Sequence, residues 1–175
     1  MKTLTVLALV CAVTALTGAA PPREEKADED QTADVNLVKR WTVRGCSRPW
    51  SRSNDRCFLY VARPMTWAKA EKHCESLGGN LASVRSLQEY HEIQMMMMTG
   101  HHGFEETWIG GSDAQEEKQW FWSDGTPFHY SNWCQGEPNN GRGSQHCLQM
   151  NHGAQKCWDD NNCSVRRPSV CSKKA

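Results

Sequence analysis

Apolar and polar positions divide the chain into stretches of different character: largely apolar from Leu4 to Leu16, polar from Pro21 to Asp34, and periodic from Trp67 onward. Trp67, Ala70 and Cys74 fall on one face of a helix, which Thr66 can cap and Gly78-Gly79 can end. Leu81 to Val84 links it to a second helix. There Ser86 and Glu89 have the spacing of a capping box, Leu87, Tyr90, Ile93, Gln94 and Met97 follow roughly helical spacing, and Gly100 marks the end. Beyond it the period changes. Trp108-Ile109-Gly110, Gln119 to Ser123, Cys147 to Asn151, Lys156 to Asp159 and Ser169 to Cys171 are short strand-like runs separated by Gly, Pro, Asn and Asp. Two helices followed by strands predict an α+β domain.

The N-terminal stretches read differently. Lys2, the apolar run and the small residues Thr17 to Ala20 have the three parts of a secretory signal peptide over residues 1–20, and the run is too short to span a bilayer. Residues 21–40 form an acidic segment with little to bury, expected to be disordered. The pair Lys39-Arg40 before Trp41 suggests a processing site and a propeptide, with an unprocessed tail as the alternative. Residues 41–175 then make one secreted domain. Charge balances over the whole chain, 20 Lys and Arg against 20 Asp and Glu, which leaves no electrostatic footprint for a nucleic-acid partner.

Of 9 Cys, Cys11 leaves with the signal, and Cys46, Cys57, Cys74, Cys134, Cys147, Cys157, Cys163 and Cys171 remain. An even count in an exported chain reads as four disulfides, whose pairing this argument leaves open. No CxxC supports a zinc site. His73, His91, His101, His102, His129 and His146 show no paired spacing near acidic residues, which speaks against a catalytic or zinc role. GxSxG, HExxH and P-loop patterns are missing too, so an enzyme is the least favoured class. Trp67, Trp108, Trp120, Trp122 and Trp158 are assigned to the core, and Met95 to Met98 to helix packing or an exposed apolar end. Arg44, Arg48, Arg52 and Arg56 are spaced by four, but Pro49 argues against a helical basic stripe. Ser131 to Ser144, rich in Gly and Asn, is a long loop of the kind that carries function.

From Cys46 to Cys171 the chain resembles the C-type lectin-like domain family. The matching elements are Trp67-Ala68-x-Ala70-Glu71 before Cys74, Trp108-Ile109-Gly110, Trp120-x-Trp122-Ser123-Asp124-Gly125, Glu137-Pro138-Asn139, and Trp158-Asp159-Asp160 ahead of Cys163. Within the family it is most similar to short secreted lectins of fish mucus and plasma and to type II antifreeze proteins. The resemblance implies the bridges Cys46 to Cys57, Cys74 to Cys171, Cys134 to Cys157 and Cys147 to Cys163. Type II antifreeze proteins usually carry one further pair that this chain lacks.

It also implies a calcium and sugar site in the long loop. Glu137, Asn139, Gln145, Asp159 and Asp160 are the implied ligands of both Ca²⁺ and carbohydrate, with a cis bond at Pro138 turning the first two toward one ion. Their side chains and the Asp160 carbonyl supply six oxygens, within the six to eight that Ca²⁺ takes, and leave room for two sugar hydroxyls. The family usually has Glu where Gln145 stands and Asn where Asp159 stands. The two changes keep three negative charges but reverse one donor–acceptor pair, so mannose and galactose or lactose stay open and the calcium requirement is put in question. Trp133 and His152 are candidates for stacking on a sugar face. The implied function is a secreted lectin acting in surface defence by agglutinating microbes, with glycans as partners and a homo-oligomer to supply the second site that agglutination needs. An ice-binding protein, a calcium-independent galactoside lectin and a protein-recognising relative are the alternatives.

Overall fold

The computed structural model describes residues 45–175, so the signal peptide and acidic segment expected over residues 1–40 lie outside the described residues. The strands are β1 (Ser51–Ser53), β2 (Arg56–Met65), β3 (Asn80–Leu81), β4 (Thr107–Ser112), β5 (Phe121–Trp122), β6 (Cys147–His152), β7 (Cys157–Asn161) and β8 (Arg167–Lys174); the helices are α1 (Trp67–Ser76) and α2 (Leu87–Thr99). They form one sheet in the order β1-β2-β8-β4-β6-β7, with β3 on β8 and β5 on β4. This is the expected α+β architecture.

Both helices lie where the sequence puts them. Trp67 starts α1, but Thr66 makes no side-chain cap. At the other end Gly78, at φ 80, donates to Glu75 O at 3.0 Å and Gly79 to Cys74 O at 3.0 Å. A left-handed residue favours glycine, which explains the stop. In α2 the Ser86 hydroxyl accepts from Glu89 N at 3.1 Å, while the Glu89 carboxylate reaches one residue further back, to Arg85 N at 2.7 Å. Tyr90, Ile93, Gln94 and Met97 are buried as their spacing requires, whereas Leu87 is 49 % exposed. The methionine run divides: Met97 faces the core, Met95 and Met98 face outward.

β2 is the element the sequence does not announce. It pairs antiparallel with β8 from Arg56 opposite Lys174 to Val61 opposite Ser169, bringing the two ends of the domain side by side. Arg56 is buried there rather than on a basic stripe, donating to Glu89 at 2.9 Å, Ser83 O at 2.9 Å and Ser172 Oγ at 2.7 Å. All four bridges have the implied pairing. Cys74–Cys171, with a separation of 97 residues, ties α1 to β8; in the chain-entropy model such a loop contributes about 4–5 kcal/mol. Cys163 of the Asn162-Cys163-Ser164 triplet is bonded to Cys147.

The core converges on Trp158. Its indole is fully buried and met nearly edge-on by Tyr90, Trp122, Tyr130 and Trp133, with Phe128 alongside. Edge-to-face rings add to the area such a side chain removes from water. Trp108 and Trp122 are buried as well, while Trp67 and Trp120 pack only in part against the two core clusters.

Candidate functional site

The long loop is fastened at its base to the strand that carries Trp158. Trp158 N donates to Asn132 O at 2.8 Å, Cys134 N donates to Trp158 O at 2.9 Å, and Cys134 is bonded to Cys157. The loop therefore leaves β7 a few residues before Glu137 and runs back past the next two residues of that strand, Asp159 and Asp160. The sequence neighbours of the buried indole are delivered to the loop by the core itself.

Period-two alternation in β7 sends neighbouring side chains to opposite faces, and the contacts follow. Asp160 turns to the loop, its Oδ1 accepting from Asn139 N at 2.9 Å and its Oδ2 from Asn140 N at 2.8 Å. Asp159 turns across to its register partner on β6 and accepts from Gln149 Nε2 at 2.7 Å. His152 Nδ1 lies 3.4 Å from the same Asp159 oxygen and 3.1 Å from Glu106.

The Glu137–Pro138 bond is cis. Across it, Asn139 Nδ2 donates to Glu137 Oε1 at 2.8 Å. Glu137 Oε2 is buried and has no hydrogen-bond partner. Other buried carboxylates are provided for: Glu71 takes Asn80 Nδ2, Leu81 N and Ser123 Oγ, and Glu89 takes Arg85 N and Arg56. Among the described residues, Glu137 Oε2 is the one buried carboxylate oxygen left without a donor. Burial pushes the Glu137 carboxyl above its ordinary range, and the charges of Asp159 and Asp160 push the same way. Asp159 is also raised, by burial first and then by Asp160, against the opposing pull of His152. Three carboxylates thus crowd one place, and crowded oxygens with an unfilled acceptor suit a hard cation.

Gln145 stands apart from this group. Its Oε1 accepts from Gly141 N, and its backbone N–H donates to Asn140 Oδ1 at 3.0 Å. Of the five implied ligands, then, Glu137, Asn139 and Asp160 form a connected cluster. Asp159 lies beside it but is held by Gln149, and Gln145 folds onto the Gly141 turn. Each amide or carboxylate oxygen engaged by one N–H keeps a second lone pair, so none of the five is chemically spent. Trp133 is committed to packing, 4.7 Å from the Trp120 ring and 5.8 Å from Trp158, and His152 faces Glu106 and Asp159. Sequence spacing missed Glu106 and Gln149, because neither lies near the loop in the chain.

The sheet, the four bridges and the cis-proline loop define a C-type lectin domain, and residues 63–173 match the Lectin C-type domain family model. The chain belongs to that family. It is 40% identical over 176 residues to Ladderlectin of Oncorhynchus mykiss, covering 97% of this chain and 92% of that protein. It is 38% identical over 169 residues to a Type-2 ice-structuring protein of Hemitripterus americanus, covering 97% and 98%. Among solved structures it is similar to Herring Type II Antifreeze Protein, with TM-score 0.69 and 36% identity over 74% of this chain and 99% of that one. These relatives are binding proteins rather than enzymes. Among the described residues no helix is long and apolar enough to cross a membrane.

Proposed function

We propose that the protein is a secreted lectin that binds terminal sugars through a calcium-linked site in the loop, made by Glu137, Asn139, Gln145, Asp159 and Asp160. The observation that carries this reading is the orphaned Glu137 oxygen amid two further carboxylates: a cation supplies what no donor among the described residues does. Bound there, Ca²⁺ neutralises the crowded charge and offers coordination positions to hydroxyls. The chain's own part is orientation. A vicinal hydroxyl donates to Glu137 and accepts from Asn139 Nδ2, replacing the 2.8 Å bond those two make with each other. Asp160 holds the backbone beneath them in place through its two amide bonds. With one such site per domain, agglutination of glycan-bearing surfaces in surface defence requires a homo-oligomer.

Retention on immobilised mannose or lactose, with elution by EDTA, is the expected result. Indifference to every sugar and to the chelator contradicts the reading, and retention that survives EDTA points instead to a calcium-independent galactoside lectin. A second reading, ice binding, is favoured by the likeness to the ice-structuring protein. Against it, the loop face presents Arg142 and a carboxylate cluster, and a flat, weakly charged surface is what ordering water asks for. Thermal hysteresis in dilute solution distinguishes the two.

A further inference from the structure

Basic side chains from three stretches of the chain meet beside the start of α1. Arg63 stands near the end of β2, Lys69, Lys72 and His73 lie on α1, and Arg166 immediately precedes β8; together they line one groove. The spacing of the three helical residues keeps them on one side of the helix. Arg63, Lys69, Lys72 and Arg166 are all exposed.

The two guanidiniums are held by neutral acceptors. Arg166 donates through Nε and Nη2 to Pro64 O at 3.3 and 3.2 Å, and Arg63 Nη2 approaches Met65 Sδ at 3.4 Å. Lys72 meets Glu75 at 2.8 Å, but both partners are exposed and the pair is screened. Glu71, also on α1, spends its oxygens on Asn80, Leu81 and Ser123. The helix end adds to the imbalance: Thr66 makes no side-chain cap and the first turn of α1 carries no acidic residue, which leaves the positive end of the helix dipole unopposed. Another group of basic residues shows what a compensated surface looks like. Around Arg56, Arg85, Lys173 and Lys174, Asp55 and Asp124 line the same hollow, with Arg85 3.0 Å from Asp55 and Arg56 3.8 Å from Asp124. Among the described residues, no acidic side chain lines the α1 groove.

Uncompensated positive charge along an open groove attracts an anionic chain, and the lining selects which kind. Base stacking needs aromatic rings, and insertion into a membrane surface needs exposed apolar bulk. The groove has no Phe, Tyr or Trp, its Met65 is buried and its Ala68 is small. Guanidinium forks and ammonium groups suit tetrahedral oxyanions, and sulfate on a hydrated sugar is one of these. We propose that the groove between the end of β2 and α1 binds a sulfated polysaccharide through Arg63, Lys69, Lys72 and Arg166, without calcium and apart from the loop site. The charge balance of the whole chain hides it, because the cations that make it are scattered over more than a hundred positions and only the fold gathers them.

The test is calorimetric titration of a heparin octasaccharide into the full chain at neutral pH in EDTA, with the desulfated octasaccharide and a thymidine oligonucleotide of equal charge as comparison probes. Saturable binding of the sulfated sugar is expected, falling by about fiftyfold between about 50 and about 200 mM salt as roughly four cations exchange counterions for sulfate. The pairs K69Q/K72Q and R63Q/R166Q each weaken it by about tenfold, whereas K173Q/K174Q, the same charge loss on the compensated surface, changes it by less than about twofold. Circular dichroism checks the fold, and since the two groove pairs lie on different elements either one carries the test if the other does not fold. No saturable binding of the sulfated probe overturns the proposal. So does equal binding of the desulfated sugar, tighter binding of the oligonucleotide, or a loss in K173Q/K174Q as large as in the groove pairs. EDTA silences a calcium-linked loop, so the two sites fail or stand separately.

Discussion

The two halves of the loop site are held in different ways. Glu137 and Asn139 bond to each other and rest on Asp160 through a backbone amide, so this half is assembled with its outer oxygen unfilled. Gln145 and Asp159, which would pair around the same ion, are each engaged elsewhere, one by the Gly141 amide and the other by Gln149. Both residues of the diverted half are the ones that depart from the usual family pattern, and both residues of the assembled half keep it. Swapping an amide and a carboxylate leaves the charge unchanged but changes which neighbours each side chain satisfies. In Asp159 that neighbour is a buried amide donor across the strand, whose own hydrogen bond would otherwise go unmade.

The comparison can be broken at its shared support. D160A removes two charge-assisted bonds to the loop, each worth roughly 1.5–3 kcal/mol; it is expected to lower stability by about 3 kcal/mol in urea unfolding. Exchange of the Asn139 and Asn140 amides rises with it, whereas D159A leaves both protected. If the two variants behave alike, the division into halves is wrong. Next comes E137Q, which loses about a hundredfold or more in calcium-dependent sugar affinity. Without calcium the same variant melts higher, by about 1 kcal/mol or roughly 3–6 °C, because a buried carboxylate lacking a donor has been neutralised. The opposite signs distinguish a cation site from a structural carboxylate.

Smaller effects sharpen the picture. The double variant Q145E/D159N restores the usual pattern and is expected to tighten calcium binding by about tenfold, read by titration with mannose and lactose as competing sugars. H152A removes only a partly exposed neighbour of Asp159, so calcium affinity changes by less than about fivefold. A larger change would place His152 within the site.

How much of this was legible in the sequence depends on the range of the interactions. α1 and α2 are set by capping, periodicity and glycine within a few residues, and both were readable. Even there, Leu87 is periodic yet exposed, and Thr66 occupies a cap position without making the bond. β2 was not readable. Its run Arg56–Met65 buries Arg56, Cys57 and Phe58 in succession, so it lacks alternation, and Pro64 interrupts it. Only its pairing with β8 makes it a strand. Arg56 illustrates the same point, since the groups that permit its burial, Glu89 and Ser172, lie 33 and 116 residues away. The loop site was legible as a motif because Glu137-Pro138-Asn139 and Trp158-Asp159-Asp160 are contiguous. What diverts Asp159, Gln149 opposite it on β6, acts through strand register and was not.

Calorimetric titration of calcium into the full chain and into E137Q, each with and without mannose or lactose, bears on the loop site most directly. The wild type should bind calcium with an affinity that one of the sugars strengthens, and E137Q should lose both effects. Calcium heats that are the same for the two proteins, or no response to either sugar, would contradict a site organised around the Glu137 carboxylate.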